Sequence, residues 1–251
     1  MEKHLETIER TLDEVLPKGR PEGFSEAMRY AVGAGGKRIR PLVCLAAAEA
    51  VGGVADDAKY PAAAIELLHN YTLVHDDLPS MDNDTMRRGK PSVWAKFGES
   101  AAVLAGDALQ ALAFGVAAKA PRNQEKIVAA LGEAALGVVQ GQVEDIAKSG
   151  DTAYIYTHKT ADLFVAAAVM GGLAGGGTSA DIDALRIFAL NLGLAFQFED
   201  DLLDGDSPYS KEKTESLVRE TTAAAVAALE KLGGKTDFLR NLANRLVGRR
   251  N

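Results

Sequence analysis

The 251-residue chain has 28 basic and 35 acidic side chains, a formal net charge of −7, and 47% hydrophobic residues. That length and apolar content allow one large domain or two small ones with a sizeable core. The acidic balance argues against a general nucleic-acid binder but leaves room for a small anion held by local Lys and Arg.

The lone cysteine, Cys44, lies in an apolar run and cannot form an intrachain disulfide. It reads as a small buried hydrophobe in a reducing compartment. No uninterrupted apolar segment of roughly 18 residues is evident, and the first stretch, MEKHLETIERTLDEVL, is charged and amphipathic. A cytosolic, untargeted chain that does not span a membrane is therefore expected.

In chain order, Leu5, Ile8, Leu12 and Val15 or Leu16 recur at helical spacing. After the break LPKGRPEGF, the stretch GAGGKRIRP places Lys37, Arg38 and Arg40 in a Gly-rich turn entering an apolar helix. Glycines there permit close backbone approach, and Arg offers a planar fork to phosphate oxygens. The next long helix ends in LVHDDLPSMDNDTMRRGK, residues 73–90. His69 shares a face with Asp76, whereas His75 points elsewhere and is read as packing. Pro79 predicts a distortion that returns Asp82 toward Asp76 and Asp77. Arg87, Arg88 and Lys90 make a second basic cluster.

The stretch 98–120 has Ala on more than one face and is expected to sit centrally in a bundle. GQVEDI and THKTADLF follow, the latter with Lys159 and Thr160. GGLAGGG is expected to be a flexible loop. LGLAFQFEDDLLDGD, residues 192–206, then ends another apolar run with Asp200 and Asp201 and adds Asp204; Gln197 stands one turn before Asp201. Strand patterns are scarce and the joins short, so an all-α, single-domain helical bundle over 1–251 is expected. Two carboxylate clusters brought face to face would repel until cations entered, and an all-oxygen donor set selects Mg²⁺ over Zn²⁺.

GGKRIRP, HDDLPSMDNDTMRRGKPS, LAGDAL, GQVEDI, HKTADL and GLAFQFEDDLLD resemble, in order and approximate spacing, the motifs of the trans-isoprenyl diphosphate synthases, over about residues 35–204. They look most like the bacterial farnesyl and geranylgeranyl diphosphate synthases, whose first motif has the same pair of extra residues between its second and third aspartates. The resemblance implies an isoprenoid-synthase bundle around a deep central cavity, a homodimer, and condensation of isopentenyl diphosphate with an allylic diphosphate. It assigns Mg²⁺, about two or three ions with substrate bound, to Asp76, Asp77 and Asp82 on one side. Asp200 and Asp201 are the ligands on the other, with Asp204 acting directly or through water.

It also implies that Lys37, Arg40, His69 and Arg88 hold the isopentenyl diphosphate, that Arg87, Lys159 and Gln197 face the allylic diphosphate, and that Thr160 sits by the reacting centre. Gln142 matches the family's glutamine. Tyr71, five residues before Asp76, is the expected floor that limits chain length, giving farnesyl diphosphate, with geranylgeranyl diphosphate as the alternative. The sequence departs from the family after Asp204: no Gly-Lys pair comes before the next helix, Lys211 or Lys213 is placed by no matching motif, and the part beyond about residue 206 is short. A weakly active partner subunit and a terpene cyclase stay open beside the synthase. The cyclase has no need of the second basic group.

Overall fold

The computed structural model describes residues 1–246; residues 247–251 of the expected 1–251 domain lie outside the described residues. In chain order the helices are α1 (Glu2–Val15), α2 (Glu22–Gly33), α3 (Ile39–Ala50), α4 (Lys59–Asp76), α5 (Val93–Phe97) and α6 (Glu99–Ala117). They continue as α7 (Gln124–Ile146), α8 (Thr152–Ile155), α9 (Asp162–Gly175), α10 (Ser179–Asp204), α11 (Lys211–Ala228) and α12 (Asp237–Leu246). The fold is all-α apart from one small hairpin, β1 (Met86–Arg87) paired antiparallel with β2 (Lys90–Pro91). Its turn residues Arg88 and Gly89 have positive φ, 52° and 73°, the mirror-image turn that suits hairpin twist. Strands this short carry no legible alternation.

The buried residues form one core in which α9 is central. It is buried on nearly every side, from Leu163 to Gly175, and packs on α3, α7 and α10, as expected of a helix that is apolar all round. GGLAGGG is thus mostly the end of this helix rather than a loop. A Cβ on Gly171 would stand 2.0 Å from the Cys44 carbonyl oxygen, and one on Gly175 2.7 Å from that of Ala48. The glycines let α9 and α3 approach backbone to backbone. Cys44 lies at this contact, fully buried, with its thiol pushed up by burial, and it packs as a small hydrophobe.

The apolar run of helix α6 is interrupted by Asp107, in keeping with the absence of an unbroken apolar span, but the helix corrects one expectation. Its 19 residues, with a mean hydropathy of 1.5, are long and apolar enough to cross a membrane by length and composition. It is not central. Ala102, Ala105, Gly106, Leu109 and Ala113 are buried and the helix packs on α4, but Val103 and Leu104 face outward, 41% and 56% exposed. Ala on several faces raises helix propensity without specifying which face is covered. The consequence for the site is that α4 is sandwiched between α3, α6 and α9, which fixes its C-terminal end at Asp76.

Candidate active site

The chain turns at Pro79 as its position predicts: the Asp82 N–H donates to the Asp76 carbonyl at 2.9 Å, and Asn83 N–H to that of Leu78 at 3.0 Å. Adjacent residues near a helix end point about 100° apart, and the two aspartates separate accordingly. Asp76 is half-buried, and its carboxyl is pushed up to about 6 by burial, against the pull of Lys159 and with a further push from Asp82. Asp77 is 2% exposed and accepts from Arg87 Nε at 2.9 Å and again from Arg87 Nη2. Arg87 also reaches Asp84 at 3.4 Å. Asp77, expected as a cation ligand, and Arg87, expected as an allylic contact, are thus paired with each other through one carboxylate oxygen, Oδ1. His75 packs as expected, with Nε2 3.0 Å from the Val103 carbonyl and its ring against Tyr71 at 5.1 Å.

The basic residues converge as expected. Lys37, Arg40, His69 and Arg88 line one cavity of ≈ 460 Å³, together with Glu66 and Phe196. Arg40 Nη1 lies 3.3 Å from His69 Nε2, and its guanidinium stacks 4.7 Å from the Phe164 ring centre. Burial, with Arg88 adding to it and Glu66 and Asp200 opposing, brings Arg40 down to about 10. Burial and then Arg40 drive His69 well below the ordinary histidine value, so its imidazole is neutral at pH 7 and offers a hydrogen bond rather than a charge. Arg88 donates to the Gly35 carbonyl. Arg38, from the same GGKRIRP run, has another job. It is buried and binds Glu66 at 2.7 Å and Glu9 at 2.8 Å, clamping α1 to α4 at the cavity wall.

On the other side, the backbone widens into a π-helical turn over Tyr156–Ala161, a distortion often found at functional sites. A Cβ on Gly141 would lie 2.4 Å from the Lys159 backbone nitrogen, so this glycine of the GQ pair in α7 makes room for the turn. Lys159 Nζ is 2.5 Å from Asp145 Oδ2. Thr160 donates to Gln197 Oε1 at 2.7 Å, Gln197 Nε2 donates to Asp201 Oδ1 at 2.8 Å, and the Tyr156 hydroxyl donates to Asp201 Oδ2 at 2.5 Å. Burial raises the Asp201 carboxyl, and these two hydrogen bonds hold it down. Asp201, 5% exposed, thus has both oxygens engaged within the protein. Gln197 is a bridge from the turn to α10.

Asp200 acts on Arg40 and Lys159 on Asp76, so each acidic motif lies within electrostatic reach of a basic side chain. The more accessible carboxylates Asp76, Asp82, Asp200 and Asp204 suit a hard divalent cation, having oxygen donors with neither Cys nor paired His among them. No three acidic, His or Cys side chains form a ready cage among the described residues. Mg²⁺ sites of one or two carboxylates completed by substrate phosphate need none. Asp145, Tyr156, Phe164 and Phe196 escaped the sequence reading as site residues. Asp145, Phe164 and Phe196 lie within quoted motif stretches and Tyr156 just before one, but nothing in those stretches singles them out. Gln142 is buried, and neither amide atom has a hydrogen-bond partner. Lys211 and Lys213 lie exposed in the first turn of α11.

A helical bundle with two facing acidic motifs and a separate basic cavity has the architecture of the isoprenoid-synthase class. The chain belongs to the polyprenyl synthetase family, whose sequence model matches residues 21–245. It is 47% identical over 213 residues to geranylgeranyl pyrophosphate synthase 4 of Arabidopsis thaliana, covering 79% of this chain and 57% of that protein. The chain thus spans less than two thirds of this relative's length. An FPP/GFPP synthase from Zymomonas mobilis, in its apo form, has the same fold with a TM-score of 0.91 at 35% identity, covering 98% of this chain and 97% of the other. A polyprenyl synthase from Caulobacter crescentus, complexed with calcium and isoprenyl diphosphate, has a TM-score of 0.87 at 27% identity, covering 100% and 96%.

Proposed function

We propose that the protein is a trans-prenyltransferase that joins isopentenyl diphosphate to an allylic diphosphate. The observation that carries this reading is a basic cavity that needs no cation, within electrostatic reach of cation-suited carboxylates, one of which feels Lys159. Two diphosphates require both. Asp76, Asp82, Asp200 and Asp204 would hold Mg²⁺, which when bound neutralises diphosphate charge; a related synthase carries calcium with its isoprenyl diphosphate.

Lys37, Arg40, Arg88 and neutral His69 bind the isopentenyl diphosphate. Lys159 faces the allylic diphosphate and stabilises the charge left on it when the allylic C–O bond breaks. Thr160, tied to Gln197, fixes the turn beside the reacting carbons. The isopentenyl double bond attacks the allylic carbocation, and the departing diphosphate takes the proton lost from the new chain. Apolar walls exclude water from the cation.

The names of the curated relatives support a twenty-carbon product over the fifteen-carbon expectation. One observation favours the shorter chain: Tyr71 is 8% exposed and feels Asp76, where a growing tail would descend. Chromatography of dephosphorylated products from Mg²⁺, isopentenyl diphosphate and each of the C5, C10 and C15 allylic substrates decides it. Geranylgeraniol from wild type supports the relatives' assignment. Farnesol from wild type, lengthened in Tyr71→Ala, supports the floor. Absence of any condensation product rejects the function.

The proposed partner is a second copy. Val103 and Leu104 on α6, with Leu136, Val139, Val143 and Ile146 on α7, are exposed apolar residues on neighbouring helices, the kind of surface a second copy would cover. Sedimentation at micromolar concentration tests it. A single-domain chain in the cytoplasm is part of the same proposal, supported by the one core and the buried, unpaired Cys44.

A further inference from the structure

Among the groups that neither acidic motif accounts for, Tyr156 makes the most specific contact. It opens the π-helical turn that also bears Lys159 and Thr160, and its hydroxyl lies 2.5 Å from Asp201 Oδ2. Its ring stands edge-on to Phe198 at 5.6 Å, and Phe198 in turn meets Tyr209 at 6.4 Å. Tyr209 belongs to the short segment 205–210 between α10 and α11, the place where the sequence lacks a Gly-Lys pair. An aromatic series therefore runs from the turn, across α10, to this connection.

We infer that Tyr156 is a positioning residue that locks the Asp201 carboxylate and ties the C-terminal acidic motif to the Lys159 turn. The inference rests on the prenyltransferase reading and deepens it. A carboxylate on a helix rotates about χ1 and χ2 unless both oxygens are held. Gln197 holds Oδ1, and among the described residues Tyr156 holds Oδ2. A hydroxyl fixes direction without cancelling charge, so Asp201 keeps its negative field for cations carried in with a diphosphate. The packing against Phe198 sets where the hydroxyl points, because a ring held edge-on has little freedom to swing. Movement of the turn that carries Lys159 would be transmitted to the motif through this bond.

The test is calorimetric titration of inorganic diphosphate in the presence of Mg²⁺, with no turnover required. Tyr156→Phe removes one hydroxyl from a half-buried rim position, and thermal denaturation checks its fold. Its metal-dependent diphosphate affinity should fall about tenfold, the usual scale for a hydrogen bond to a charged group. The KM for isopentenyl diphosphate should stay within about twofold of wild type. Gln197→Leu, which strips the other oxygen, should reproduce the affinity loss and provides the second reading if Tyr156→Phe does not fold. Affinity within twofold of wild type in the folded variants overturns the positioning role. Wild type that binds no diphosphate with Mg²⁺ overturns the prenyltransferase reading instead.

Discussion

Both acidic motifs place two aspartates side by side at the end of an apolar helical run, and in both the second aspartate is buried, Asp77 at 2% and Asp201 at 5% exposure. They are satisfied by opposite means. Asp77 is paired with the guanidinium of Arg87, which cancels its charge and fastens the hairpin to α4. Asp201 is held by an amide and a phenol, both neutral, so its charge remains in the chamber. Adjacent carboxylates are therefore not a single chelating unit. Helix geometry sends one to the cleft and one to the framework, and the framework partner decides how much field survives.

Loss of either cleft-facing carboxylate should have the largest effect. Asp76→Ala and Asp200→Ala should each remove more than about 3 kcal/mol of transition-state stabilisation, read as kcat/KM in saturating Mg²⁺. Equal, wild-type kinetics in both would reject the division of labour. Asp77→Asn acts instead on the fold: it strands the Arg87 guanidinium, and urea denaturation should show a loss of about 2 kcal/mol. Asp201→Asn should cost less than about 1 kcal/mol, since neutral donors keep an acceptor and no buried cation is stranded. Equal losses at the two positions would erase the contrast.

The basic cavity sharpens the comparison from the other side, because it binds anion without borrowing charge from either motif. Lys37→Ala or His69→Ala should raise the KM for isopentenyl diphosphate about tenfold and move that for the allylic substrate much less. Initial rates with each substrate varied in turn measure this. The reverse selectivity would mean the two subsites are exchanged.

How much of this was legible depended on range. The helices and the return of Asp82 past Pro79 follow from local spacing, while the grouping of Lys37, Arg40, His69 and Arg88 comes from the motif resemblance, and the structure lines one cavity with all four. What spacing cannot supply is the partner of a side chain across the bundle. Arg38 and Arg40 look equivalent in GGKRIRP, and both line the cavity, yet Arg38 is tied to Glu66 and Glu9 while Arg40 lies against His69 and Phe164. The spacing that singles out Asp77 and Asp201 gives no sign that Arg87 and Tyr156 hold them. GGLAGGG looked like a loop because glycine suits turns. Only the backbone of α3, pressed against Gly171 and Gly175, shows that close approach was the reason.

The smallest expected effect is a pH signature that the first motif should show and the second should not. Asp76 is raised from 3.8 to about 6, chiefly by burial, with Lys159 opposing and Asp82 adding to it. A carboxylate with a raised folded pKa binds its proton more tightly in the native state than in the unfolded chain. Its stabilising contribution is therefore complete below about 3.8 and is lost as pH rises through about 6. In chelator, wild-type stability should fall over that window relative to Asp76→Asn, leaving the variant ahead by about 1 kcal/mol at pH 8. That figure is discounted from the full shift because the carboxyl is only half-buried and faces Lys159. Mg²⁺ with inorganic diphosphate should reverse the order above pH 6, because a ligand that binds the ionised site adds stability to wild type alone. Urea midpoints between about pH 4 and 8, with and without that ligand, measure both halves. At Asp201 burial also raises the carboxyl, but Tyr156 and Gln197 oppose it, so Asp201→Asn should give a flatter difference curve. The same steep, ligand-reversed curve in both variants would show that burial alone governs the two motifs and that their different partners do not matter.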